Sequence, residues 1–117
     1  MVWDIRLSPF DRKQINMAIE YLHANYTSPI SADMLALEFD MDIRRLQKGF
    51  KEKTGMTVHE YLIHYRILRA IIDLETTNLI LKVIASKHGF ATQSHFIELF
   101  KKRRGITPNQ HRNLLRR

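Results

Sequence analysis

Apolar residues recur along this chain at spacings of three and four, and Pro and Gly fall between the apolar runs, a pattern that predicts helices throughout and no strand. Ile15, Ala18, Ile19 and Leu22 form one stripe behind a capping box of Asp11 and Gln14, so a first helix is expected over about 11–25. Thr27-Ser28-Pro29 ends it. Ser31 caps a short helix carrying Met34, Leu35 and Leu37, and Phe39-Asp40-Met41-Asp42 reads as a tight turn. Asp42 then caps a helix in which Leu46 and Phe50 are buried one turn apart, with Gly55 as its stop. A capping box of Thr57 and Glu60 opens the longest helix, about 57–77. Two apolar edges are expected on it, one through Val58, Tyr61, Leu62, Tyr65, Leu68 and Ile72, the other through Ile63, Ile67, Ala70, Ile71 and Leu74. That leaves His59, Arg66, Arg69 and Asp73 for solvent. Beyond Asn78 a short helix carries Leu81, Val83 and Ile84 and ends at Gly89; Thr92 caps another to about Arg104; Gly105 stops it, and Pro108 starts the last helix at the favoured first position.

A shift of fifty residues superposes Leu46 on Phe96, Phe50 on Phe100, Lys51 on Lys101, Lys53 on Arg103, Gly55 on Gly105 and Thr57 on Thr107. Upstream, Ala36 meets Ala85 at forty-nine, so the second copy has one extra residue in its turn. Each copy is a short helix, a tight turn and a longer helix with a basic outer face, which is the plan of a helix-turn-helix. The expected fold is therefore all-α, about seven helices, with two helix-turn-helix subdomains joined by a long central helix. Its expected divisions are 1–10 as an N-terminal segment or linker remnant, 11–56 as the first subdomain, 57–77 as the connecting helix and 78–117 as the second subdomain.

Charge narrows the partner. The chain of 117 residues has a formal net charge of +7, and residues 43–72 and 73–117 carry all of the excess, since 1–42 hold seven acidic against three basic side chains. A basic balance of that kind favours a polyanion. With no cysteine, disulfide scaffolds, thiolate metal sites and cysteine nucleophiles are excluded, and a reducing compartment fits. The N-terminal residues lack the apolar segment of a signal peptide, and no run has the length of a membrane span, so a cytoplasmic location is expected.

Leu35-Ala36, Leu46-Gln-Lys-Gly-Phe50-Lys51, Gly55-Met-Thr57, Tyr61-Leu62 with Arg66, Ile84-Ala85, Gly89-Phe90, Ser94-His-Phe96 and Phe100 through Gly105-Ile-Thr-Pro108 with Arg112 together resemble the DNA-binding domain of the AraC/XylS family of bacterial transcription activators. The resemblance covers about residues 11–116 and is most specific from Gly89-Phe90 to Thr107-Pro108. It implies double-stranded DNA as the partner, transcription regulation, activation above all, as the function, and contact with RNA polymerase. An effector ligand is implied only where an N-terminal effector domain exists. Trp3, Ile5, Leu7 and Phe10, apolar residues ahead of the first cap, favour a domain of a longer regulator over a naturally short one. Two positions depart from the family pattern: Glu98 stands where members often have Arg, and His111 where they often have Tyr.

Reading a major groove needs side chains near the start of the second helix of each copy, pointing away from the buried stripe. Over helices of about 43–54 and 93–104 these are Arg44, Gln47 and Lys48, then Gln93, Ser94, His95 and Ile97. Arg44 and Lys48 can donate to guanine, Gln47 can pair with adenine, and Ile97 can touch a thymine methyl. Arg45, Lys51, Lys53, Lys101, Lys102 and Arg103 are expected at phosphates, as are Thr57 and Thr107 at helix starts. Two such helices in successive major grooves would make about six to ten phosphate contacts. An enzyme is not expected: His59-Glu60 with His64 only mimics a zinc-protease motif, because residues five apart lie about 140° apart on a helix. No metal or covalent cofactor is called for. The rival readings are a helical protein-protein interaction module and, behind it, an RNA-binding helical domain, which would need exposed aromatic residues for stacking.

Overall fold

Capping residues divide the chain into seven helices, and the computed structural model, which describes residues 6–116, holds no strand among them. In order they are α1 (Pro9–Ala24), α2 (Ala32–Glu38), α3 (Ile43–Thr54), α4 (Val58–Thr76), α5 (Leu81–Lys87), α6 (Gln93–Arg104) and α7 (Pro108–Leu115). They form two compact units. The first runs to Asn25 and resumes over Pro29–Leu62; the second takes Tyr26–Ser28 and everything from Ile63 onward, so α4 contributes to both. Trp3 and Ile5, offered above as signs of a longer protein, lie outside the described residues.

In the first unit α3 packs on α1 and α2. Ile15, Ala18 and Leu22 of α1, Leu35 of α2, and Leu46 and Phe50 of α3 are all buried. The approach of α1 to α3 is close enough that a Cβ on Gly49 would lie 2.7 Å from Ile15 Cγ1. The N-terminus of α1 corrects an expectation. Its cap is Ser8 rather than Asp11: Asp11 N donates to Ser8 Oγ at 3.0 Å and Ser8 N to Asp11 Oδ2 at 2.9 Å. Pro9 explains the frame, since it has no N–H to satisfy and its fixed φ suits the first helical position. Gln14 is released to donate to the Phe39 carbonyl at 2.8 Å, at the end of α2.

The second unit is built on Ile63, Ile67, Ala70 and Leu74 of α4, packed with Ile84, Phe96 and Phe100. Those four α4 positions make a single stripe, and Leu68 and Ile72, expected on a second buried edge, lie on the far side of the helix at 39% and 47% exposure. Asp73, expected in solvent, is buried instead. Its Oδ2 accepts from His88 Nε2 at 2.6 Å and Lys87 Nζ at 2.9 Å, while His88 Nδ1 meets the Tyr26 hydroxyl at 3.0 Å. Burial alone would raise the Asp73 pKa, but Lys87 and His88 outweigh it and hold the carboxyl below its ordinary range. Arg66 is likewise not a solvent residue: it donates to the carbonyls of Tyr26 at 2.7 Å and Ser28 at 3.0 Å, and burial lowers its pKa.

The fifty-residue repeat is present in backbone detail. α2 and α5 have seven residues each, and α3 and α6 twelve each. Met41 N donates to Ala36 O at 2.8 Å, and Phe90 N to Ala85 O at 2.9 Å. Gly55 and Gly105 close the longer helices at φ 76° and 80°, the left-handed conformation that glycine adopts without a Cβ penalty. It also runs further than the motif suggested: Tyr61 packs edge-on against Phe50 at 5.4 Å between centroids, and His111 against Phe100 at 5.8 Å.

Candidate nucleic-acid interface

In α3 the inward positions are Leu46, Gly49 and Phe50, and the first turn is held by Asp42, which accepts from Arg44 N at 2.9 Å and Arg45 N at 3.4 Å. With 100° per residue, Arg44, Lys48 and Lys51 fall in one stripe on the opposite side, and Gln47 stands at its edge. Beside it runs a cleft of about 580 Å³ lined by Gln47, Lys48, Lys51, Ser31 and, from the start of α4, Thr57 and His59. Sequence reasoning set Lys51 apart from Arg44 and Lys48. Their spacing of i, i+4, i+7 was the signal that they share a face.

Two cations of this stripe stand beside exposed carboxylates. Arg44 Nε is 3.6 Å from Asp42 and Lys48 Nζ is 3.8 Å from Glu52, pairs exposed enough to contribute little and to exchange readily for another anion. Arg45 and Lys53 lie elsewhere. Arg45 Nη1 donates to Asp11 at 3.0 Å and to the Arg6 carbonyl at 3.2 Å. The Ser8 backbone N–H first, and then the Ser8 hydroxyl and Arg45, keep the Asp11 carboxyl below its ordinary range against the opposing effect of burial. Lys53 lines a smaller cleft of about 230 Å³ with Leu7, Arg12 and Ile15.

In α6 the hydroxyl of Thr92 caps the helix by accepting from His95 N at 3.0 Å, and Phe96 and Phe100 point inward. Ser94, Glu98 and Lys101 take the outer stripe, with Gln93 and His95 exposed at the entering turn beside a cleft of about 500 Å³ that Lys82, Ser86, Thr92 and Gln93 help to line. Ile97 is half-buried, packed against the unit's core. Lys101, Lys102, Arg103 and Arg104 are all exposed in the last turn, where the helix dipole favours cations. Burial, together with Arg103 and Arg104, lowers the pKa of His64 and so favours its neutral form.

Both following helices start on a capping box. Thr57 N donates to Glu60 Oε1 at 3.0 Å and Glu60 N to Thr57 Oγ1 at 3.1 Å; Thr107 N donates to Gln110 Oε1 at 2.8 Å and Gln110 N to Thr107 Oγ1 at 3.1 Å. Each threonine hydroxyl accepts in these bonds, which leaves its own hydrogen able to donate outward. Among the described residues no three His, Asp or Glu side chains gather as metal ligands would, and no helix is long and apolar enough to cross a membrane.

The family described as "Helix-turn-helix domain" matches residues 35–114, from within α2 to within α7. The chain belongs to the AraC/XylS-type helix-turn-helix DNA-binding domains. Among proteins similar to this AraC-type chain is the HTH-type transcriptional activator RhaR of Escherichia coli (strain K12), 31% identical over 100 residues, or 86% of this chain and 36% of RhaR. The chain thus spans about a third of the length of the curated relatives it matches. A solved AraC-type DNA-binding-domain regulator from Chromobacterium violaceum is 25% identical with a TM-score of 0.81, covering 92% of this chain and 96% of that one. The DNA-binding domain of AdpA, solved with a target DNA, has the same TM-score of 0.81 at 22% identity, over 88% of this chain and 93% of that one, and shares the fold. RhaR and the Chromobacterium violaceum protein, to which the chain is similar, are transcriptional regulators rather than enzymes.

Proposed function

We propose that this chain is the DNA-reading part of a transcription regulator, an activator in the manner of the RhaR activators it resembles, working in the cytoplasm alongside RNA polymerase. Each unit presents one helix, α3 or α6, to a major groove. The observation that carries the reading is the polar outer stripe found in the same register on both helices, Arg44, Lys48 and Lys51 on one and Ser94, Glu98 and Lys101 on the other. Arg44 and Lys48 donate to guanine O6 and N7, Gln47 pairs with adenine N6 and N7, and Gln93, Ser94 and His95 supply shorter-reaching contacts. Ile97 has a partly exposed side chain to set against a thymine methyl. Lys51, Lys101, Lys102 and Arg103 contact phosphates, helped by the Thr57 and Thr107 hydroxyls; Arg45, whose Nη1 is engaged with Asp11, has further N–H groups for the same task, and Lys53 reaches the backbone from its own side of α3. The divisions expected from sequence, 11–56 and 78–117 around a connecting helix of 57–77, describe the two reading modules in this proposal.

A salt titration tests it. Binding to duplex DNA should weaken steeply as salt rises, with a log-log slope of about −5 or steeper, because phosphate contacts release counterions. Single strands and RNA of the same sequence should compete poorly. A flat titration between low and physiological salt contradicts the proposal.

A further inference from the structure

On the reading that α3 and α6 enter major grooves, we infer that Glu98 is an affinity-limiting residue of the interface, a repulsive filter that lowers the affinity of the second unit for every DNA sequence alike. The repeat sets Ser94 where the first unit has Arg44, Lys101 where it has Lys51, and Glu98 where it has Lys48. One position in the middle of the reading stripe is therefore reversed in charge between two helices of the same length, cap and stop.

The surroundings of the two side chains differ as well. Lys48 sits beside Glu52. Glu98 is exposed and, among the described residues, has no hydrogen-bond or ion-pair partner, although Lys101 and Lys102 follow it by three and four positions. Nothing on α6 holds this carboxylate. In a major groove it faces phosphates on both sides and finds a favourable partner only in the exocyclic amino groups of cytosine and adenine. A mobile carboxylate in that setting repels sequences indiscriminately, so the second unit docks through Lys101–Arg104 on the backbone and total binding depends on the contacts of Arg44, Gln47 and Lys48 being correct. A uniform penalty cancels from the ratio of specific to random binding; what it changes is the absolute affinity, so that retention on DNA requires the base contacts of the first unit.

The test uses the 117-residue chain, its Glu98→Gln and Lys48→Gln variants, and a pool of duplexes with a randomised centre. Each protein first selects its preferred sequence from the pool; affinities are then measured on the selected duplex and on the unselected pool. Glu98→Gln should tighten binding to the unselected pool and to the selected duplex by the same factor, about three- to tenfold, and select the same sequence as the wild type. Lys48→Gln should weaken binding and alter the selected sequence. If Glu98→Gln loses preference at a single base pair, Glu98 reads a cytosine or adenine amino group there and the filter is wrong. If it changes neither affinity nor sequence, Glu98 is outside the groove and the inference fails while the DNA reading stands. A wild-type chain that retains no duplex at low salt overturns both.

Discussion

The turn that leads into the first recognition helix passes through the left-handed region on Asp40, at φ 51°, whereas the turn into the second does so on Gly89, at φ 88°. Asp40 is exposed, and aspartate is one of the few side chains that adopt this conformation at modest cost. Gly89 lies against the Tyr26–Ser28 segment, where a Cβ would come within 2.9 Å of Thr27 Cα. Just before these positions Phe39 packs edge-on against Tyr21 at 5.7 Å, and His88 is buried between Tyr26 and Asp73. The backbone of the motif is common to both units because caps and hydrogen bonds set it. Residue choice at equivalent positions is set by what covers the turn, a ring in one unit and a polar network in the other. The same lesson applies to the outer stripes, where equal geometry carries Arg44 and Lys48 in one unit and Ser94 and Glu98 in the other.

The largest effect is expected from the residue pair that the two units share. Phe50→Ala and Phe100→Ala should each cost about 3–5 kcal/mol, because both rings are fully buried. Hydrogen exchange should show the loss of protection centred on α3 for the first and on α6 for the second; loss spread evenly over both units in both variants would mean that they are not separate cooperative cores.

At the turns the units should part. Gly89→Ala should cost about 2–3 kcal/mol from backbone strain and the Thr27 contact, and Asp40→Ala no more than about 1–2 kcal/mol. Urea denaturation of the two variants checks this, and equal losses would remove the packing explanation.

Asp73 has no counterpart in the first unit, and Asp73→Asn should cost about 1–3 kcal/mol at neutral pH. The folded carboxyl has a lowered pKa, so its contribution is complete above the unfolded value of about 3.9 and is lost as pH falls through the folded one. The variant should therefore lose stability less steeply than the wild type below about pH 4. Parallel acid-unfolding curves would count against the Asp73, His88 and Lys87 arrangement. Smallest of all, Thr107→Ala should cost about 1 kcal/mol by removing the cap of α7, and Thr57→Ala a similar amount at α4, both read from thermal unfolding.

Much of the helical plan was legible in the chain because its signals are local. Ser31, Asp42, Thr57, Thr92 and Thr107 each cap the helix that follows by a bond to a residue two or three positions on, and Gly55 and Gly105 each end one. Where two local signals competed, at Ser8-Pro-Phe-Asp11 and Asp11-Arg-Lys-Gln14, both frames had a capping residue and a polar residue three later, and Pro9 decided between them. Distant partners were not legible. Asp73 looks like a solvent residue until His88 and Tyr26 close over it, fifteen and forty-seven positions away in the chain. Arg45 reads as a surface cation until the structure brings it to Asp11, thirty-four residues earlier. In the candidate interface the helical period held the signal that groups Lys51 with Arg44 and Lys48 and turns Lys53 away, although the sequence reading put Lys51 with Arg45 and Lys53; what the period could not reveal is the cleft that brings Thr57 beside Gln47 and Lys48.

Competition titration of Arg44→Ala, Gln47→Ala, Lys48→Ala and Lys51→Ala, on a duplex selected by the wild type and on a scrambled one, tests most directly whether α3 reads sequence. Each of the first three should lose about 1–3 kcal/mol of discrimination at particular base pairs, and Lys51→Ala should weaken both duplexes about equally. If all four substitutions lower affinity for the two duplexes by the same factor, the stripe holds the backbone only and α3 is not a reading helix.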